Sequence, residues 1–260
     1  MAVVMLLWLV AMPSADAAMW LFLAEPPREE HLRELERTGA RVRTVSRWFS
    51  AVSVDVEGSR AAALAGLPFV DEARPVGRIT RRWAVDAPRG APILNAGRGD
   101  AQRRLIAADR LHDMGYTGRG VRVGMLDTGF LLTHEALADT DVAAVRDFVH
   151  ADDDVTDEPG EDDPGEAWHG TQTFSVMAAD APGALVGVAP RATYYLAKTE
   201  DVTRNGVVFE SHIEEDYWVA GLEWCVEHGC KIVNSSLGYV LDYRFPNLDG
   251  GTAIISAAAD

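Results

Sequence analysis

Lysine and cysteine are nearly missing from this chain. Lys198 and Lys231 are the only lysines among 24 basic residues, so the positive charge is almost all arginine. Cysteine occurs twice, as Cys225 and Cys230 in "EWCVEHGCKI". Two thiols make no disulfide framework, and Cys-x4-Cys alone is not a zinc site. The pair reads either as two buried thiols or, after export, as one disulfide whose short loop adds little stability. Excess positive charge is lacking as well: the net charge is −16, which argues against nucleic acid as the main partner. No apolar run is long enough for a stable membrane span. No H-E-x-x-H is present, so a metal hydrolase built on Asp127, His134 and His169 has little to support it.

What is present falls into two parts. Residues 1–104 hold 15 Arg and 12 acidic residues; residues 105–260 hold 9 basic and 28 acidic. The opening "MAVVMLLWLVAMPSADAAMW" has a short apolar run, then Pro13 and a small-residue site at Ala15-Asp16-Ala17, the pattern of a secretory signal peptide over 1–17. Its positive n-region is absent, which points to a start upstream. The chain is therefore expected to be secreted or periplasmic. A strand at 19–23, a helix at 26–39, extended chain at 41–56, a short helix at 59–67 and a strand at 70–80 give a β-α-β-β-α-β order over 18–82. That is a small α+β, ferredoxin-like domain. Residues 83–104, rich in Pro, Gly and Arg, read as a linker.

From 105 onward strands alternate with helices. Strands are expected at 121–127, 143–148, 193–198 and 231–236, and helices at 105–114, 169–180 and 213–229. This predicts an α/β fold with a parallel sheet and flanking helices, and ligands beyond the carboxyl ends of the strands. Asp127 stands at such an end, in "VRVGMLDTGF". In "WHGTQTFSVMAA", His169 opens an apolar helix, where the dipole disfavours its charged form and keeps the imidazole available as a base. Asp127 is suited to hold one ring nitrogen. The acidic segment "HADDDVTDEPGEDDPGEAW" (150–168) is too polar to pack and reads as a solvated surface loop. It offers oxygen ligands of the kind calcium takes, so structural calcium stays open, but it lacks the EF-hand spacing. No other cofactor is implied.

"LDTG" after a buried strand, "HGT" at a helix start about forty residues on, and then "IVNSSLG" (232–238) resemble the subtilisin-like serine peptidases, the subtilases. The chain order Asp, then His, is that family's order. "GYTGRGVRVGMLDTGF", "LVGVAPRATYYLAKTED" and "LEWCVEHGCKIVNSSLGY" resemble subtilase segments too, so the likeness covers about 105–260. Residues 18–82 resemble a subtilase propeptide, which implies a folding aid and intramolecular inhibitor. The resemblance implies that Asp127 is the orienting acid and His169 the general base. It also implies that Ser236, Leu237 and Gly238 form the strand that pairs with a polypeptide substrate.

The family pattern also demands a nucleophilic Ser, usually in Gly-Thr-Ser, and an oxyanion Asn after the "SLG" strand. Here "GGTAIISAAAD" (250–260) has Gly-Thr-Ala instead. The chain stops within an apolar helix that has no C-cap and no partner strand. The expectation is the first part of a longer preproenzyme, inactive by itself. The alternative is a catalytically dead, peptide-holding relative.

Overall fold

The computed structural model describes residues 16–76, 96–204, 207–208, 211–239 and 243–260. It divides into two units, at 1–77 and 78–260. The expected signal segment lies outside the described residues except for the backbone of Asp16 and Ala17. The expected linker lies outside them up to residue 95.

In the first unit, β1 (Asp16–Leu23), α1 (Glu29–Arg37), β2 (Arg41–Ser46), β3 (Ala51–Glu57), α2 (Ala61–Ala65) and β4 (Val70–Pro75) follow in the predicted order. The sheet is antiparallel, in the order β2-β3-β1-β4. Alternation decides which face is buried. Met19, Leu21 and Leu23 on β1 and Val52, Val54 and Val56 on β3 share a core with Leu35 of α1 and Leu64 of α2, as period-two strands require. The extended run at 41–56 is two strands, because the chain turns at 47–50 with Ser50 at φ +49°.

The second unit begins with α3 (Ala96–Leu105) and α4 (Ala108–Asp113). The last nine residues assigned to the linker are thus helical. Asp100 pairs with Arg103 and Arg104 at i+3 and i+4, which supports a helix where composition suggested none.

Then come β5 (Arg122–Asp127), β6 (Asp141–Asp147), α5 (Trp168–Ala178), β7 (Asp180–Ala181), β8 (Leu185–Val186) and β9 (Thr193–Lys198). They are followed by β10 (Thr203–Arg204), β11 (Val207–Val208), α6 (Ile213–Glu227), β12 (Ile232–Ser235) and α7 (Ile254–Ala259). The ladders β7–β8 and β10–β11 are short hairpins. The main sheet is parallel throughout, in the order β12-β5-β9-β6.

Side-chain parity sets the two faces. Val123, Met125 and Leu196 pack with Phe174 and Ala178 of α5, and Phe174 lies edge-on to Phe130 and Tyr194. Each such aromatic contributes about 1.5–3 kcal/mol by burial. Gly124, Leu126 and Ala197 face α6, which approaches so closely that a Cβ on Gly221 would lie 3.4 Å from Ala197 Cβ. The crossovers β6-α5-β9 and β9-α6-β12 step in the same direction across the sheet but run over opposite faces. They therefore have opposite hands, so one departs from the right-handed rule for parallel crossovers. The consequence for the site is direct: α5 lies on the face toward which Asp127, two residues from Met125, points.

Candidate active site

β5 ends at Asp127, a wholly buried carboxylate. Its Oδ1 receives the Thr128 amide at 2.8 Å and lies 2.6 Å from His169 Nδ1. Its Oδ2 receives the Thr173 hydroxyl at 2.8 Å. A carboxylate only accepts, so Nδ1 carries the proton and Nε2 is left as the basic nitrogen. The imidazole is half exposed, at 48%. The acid is thus sealed and triply hydrogen-bonded, and the base can reach solvent or a reactant.

The first turn of α5 is fastened to the turn after β5. Thr128 Oγ1 donates to the Glu166 carbonyl at 2.7 Å and accepts the Gly170 amide at 3.3 Å. Leu131 N donates to Thr171 Oγ1 at 2.8 Å. Gly170 has to be glycine, since a Cβ there would meet the Gly129 carbonyl oxygen at 2.1 Å. Gly129 itself has φ +123°, open to glycine and costly for other residues. The structure brings the expected Asp127 and His169 together; the sequence reading did not foresee their neighbours Thr128, Glu166 and Thr173. Thr173 was signalled by its spacing, since position i+4 from His169 shares the helix face.

The acidic segment is less solvated than expected. Val155, Glu166 and the side chain of Asp162 are buried. Lys198, itself buried at the end of β9, makes ion pairs with Asp162 and, at 3.4 Å, with Asp147. The segment's own carboxylates take up its backbone amides: Asp157 accepts from Gly165 N at 2.6 Å and Ala167 N at 2.7 Å. Paired charge and satisfied amides are what allow so polar a stretch to pack. Glu166 Oε1 accepts the Val202 amide at 2.6 Å, while Oε2 is buried without a hydrogen-bond partner among the described residues. Burial, with the charge of Asp201, pushes this carboxyl up to about 7. Asp152, Glu158 and Glu161 bring carboxylate oxygens within 4.8 Å of one another. They are the one such group of three among the described residues, and His134 joins no group with Asp127 and His169. His134 Nδ1 instead accepts the Ala136 amide in a turn.

β12 ends at Ser235, one residue earlier than expected, and Ser236, Leu237 and Gly238 continue as unpaired chain. Ser236 and Gly238 are exposed. The segment is anchored on both sides: Trp218 Nε1 donates to Ser235 Oγ at 2.8 Å, and the Tyr239 hydroxyl bonds to Glu200. Tyr243 is tied to Glu215 at 2.7 Å.

An Asp that orients a His at the carboxyl edge of a parallel sheet has the form of an acid–base pair in a nucleophilic hydrolase. Residues 118–258 match the model of the Subtilase family, and the chain belongs to that family of subtilisin-like serine peptidases. It is 33% identical to subtilisin DY of Bacillus licheniformis over 135 residues, 52% of this chain and 43% of that protein. It is 34% identical to the minor extracellular protease Vpr of Bacillus subtilis over 145 residues, 55% of this chain and 17% of that one. The chain thus spans less than half the length of these relatives. Fervidolysin from Fervidobacterium pennivorans, a keratinolytic enzyme related to subtilisin, is similar in fold at TM-score 0.55 and 21% identity. That likeness covers 88% of this chain and 37% of fervidolysin. No helix among the described residues is long and apolar enough to cross a membrane.

Proposed function

We propose that this chain carries the acid and the base of a secreted serine endopeptidase. His169 Nε2 takes the proton from a serine hydroxyl as that oxygen attacks a peptide carbonyl, then returns it to the leaving amine. Asp127 keeps Nδ1 protonated and stabilises the imidazolium that forms in between. Ser236–Gly238 pairs with substrate backbone by strand addition, so main-chain bonds supply affinity with little sequence preference. Residues 18–82 act as the intramolecular inhibitor, and export is directed by residues 1–17. The observation that carries the reading is the 2.6 Å contact between His169 Nδ1 and Asp127, braced by Thr173.

The 260 residues contain no Gly-Thr-Ser, and among the described residues no hydroxyl is hydrogen-bonded to His169 Nε2. On this reading the nucleophilic serine and the oxyanion donor are assigned to none of these 260 residues. The test reads the frame after the Asp260 codon and exposes its full product to a fluorophosphonate. Labelling of a downstream serine that is lost in His169→Ala is the expected result. A stop codon at that point would overturn this reading and favour an inactive, peptide-holding protein. Labelling of the 260-residue chain itself would contradict the assignment of the nucleophile.

A further inference from the structure

The two cysteines occupy the two contact positions of a single helix terminus. α6 ends at Glu227, and Gly229 takes φ +78° just after it. Cys230 N donates to the Cys225 carbonyl at 3.0 Å, and Gly229 N donates to the Val226 carbonyl at 2.8 Å. These are the paired bonds of a Schellman motif, which brings its third-last helical residue against the second residue beyond the cap. Those two residues here are Cys225 and Cys230. The first bond alone limits their Cα atoms to within about 7 Å, close to the disulfide range. Both thiols are buried. Cys225 also packs on β5 at Gly124, where a Cβ would lie 2.5 Å from its sulfur. The sulfur therefore has neither solvent nor free space on that side, and its open neighbour is Cys230.

We infer that Cys225 and Cys230 form an intrachain disulfide in an oxidising compartment, stapling the end of α6 to the chain that enters β12. The neighbouring thiol and burial push Cys225 up, and the neighbouring thiol and Arg122 bring Cys230 down. Cys230 is also the less buried of the two, and is the first attacker. Its thiolate displaces one thiol from a small-molecule disulfide such as oxidised glutathione. The Cys225 thiolate then attacks the Cys230 sulfur and releases the second thiol. Two S–H bonds are lost and one S–S bond forms. The small-molecule disulfide takes up both electrons and both protons. The staple fixes the start of the strand that runs on to Ser236–Gly238.

The experiment refolds the full 260-residue chain in a glutathione redox buffer, quenches with an alkylating agent and maps peptides without reduction. The expected species is a monomer with a Cys225–Cys230 crosslink and no alkylated cysteine. Its effective concentration should be at least about tenfold higher in the folded chain than in urea. Cys230→Ser should leave one alkylated thiol and a chain that melts at the temperature of the reduced parent. Two alkylated thiols in folded protein, a crosslink between chains, or a crosslink no more favourable than in urea would each overturn the inference. If refolding yields no soluble chain, the same map is made on protein recovered from an oxidising bacterial periplasm and is read by the same criteria.

Discussion

Asp127 and Lys198 are register partners across the β5–β9 ladder, yet their side chains serve different networks. Lys198 is also opposite Asp147 of β6. The three strand ends thus form a buried row of acid, base and acid. Lys198 is held by Asp147 and Asp162, which leaves the Asp127 carboxylate to His169 and Thr173. Burial opposes the lysine's charge, but the bonds to Asp162 and Asp147 outweigh it and hold the ammonium above its ordinary value.

Lys198→Met strands two buried carboxylates. It should destabilise the chain by about 3–5 kcal/mol, and adding Asp147→Asn and Asp162→Asn should recover most of that loss. Urea unfolding of the three forms measures both effects. A single-variant cost under about 1 kcal/mol would show that water reaches the row.

Glu166 makes stability depend on pH. Its carboxyl titrates at about 7 in the folded chain against an ordinary 4.5. Between those values the folded chain keeps a proton that the unfolded chain has released. The stabilisation is therefore full below pH 4.5 and is lost as pH rises to 7, on the order of 2–3 kcal/mol. Glu166→Gln retains an acceptor for Val202 N and should remove this slope. Melting curves at pH 5 and pH 8 should show the variant gaining on the parent at the higher pH.

Gly170→Ala places a methyl group against the Gly129 carbonyl. Backbone on both sides cannot yield cheaply, so the cost should be about 1–3 kcal/mol. The start of α5 should also move off the Asp127 turn. A His169 ring signal that keeps its parental shift in the variant, by NMR, would contradict this packing argument.

On the proposed reading, in a form of the protein that carries the nucleophile, His169→Ala and Asp127→Asn should each lower peptidase turnover by about 10⁴-fold or more. Thr173→Val should cost much less, because the carboxylate keeps its other two hydrogen bonds. Initial rates on a denatured protein substrate would separate the three.

The contact of Asp127 with His169 was legible because each residue interrupts a pattern. Asp127 ends an apolar strand, and His169 begins an apolar helix. The parallel orientation of β5, β6, β9 and β12 was legible from the alternation of elements; their order across the sheet was not. The roles of Lys198 and Glu166 were not. Lys198 meets Asp162 from 36 residues away, and nothing local distinguishes a buried Glu from the solvated ones beside it. The helix at 96–105 was hidden for the opposite reason: Gly97 and Gly99 argue against a helix, while the ion pairs that support it depend on spacing. The acidic segment was read by its charge, and charge is silent about a buried lysine partner.

The Asp157 carboxylate closes the acidic segment at its foot by holding the amides of Gly165 and Ala167, just before the helix that carries His169. Asp162, between those ends, is bound to Lys198, so the segment is tied down at two separate carboxylates. Substitution at the exposed Pro159 and Gly160 leaves both ties, and with them the place of the histidine, intact.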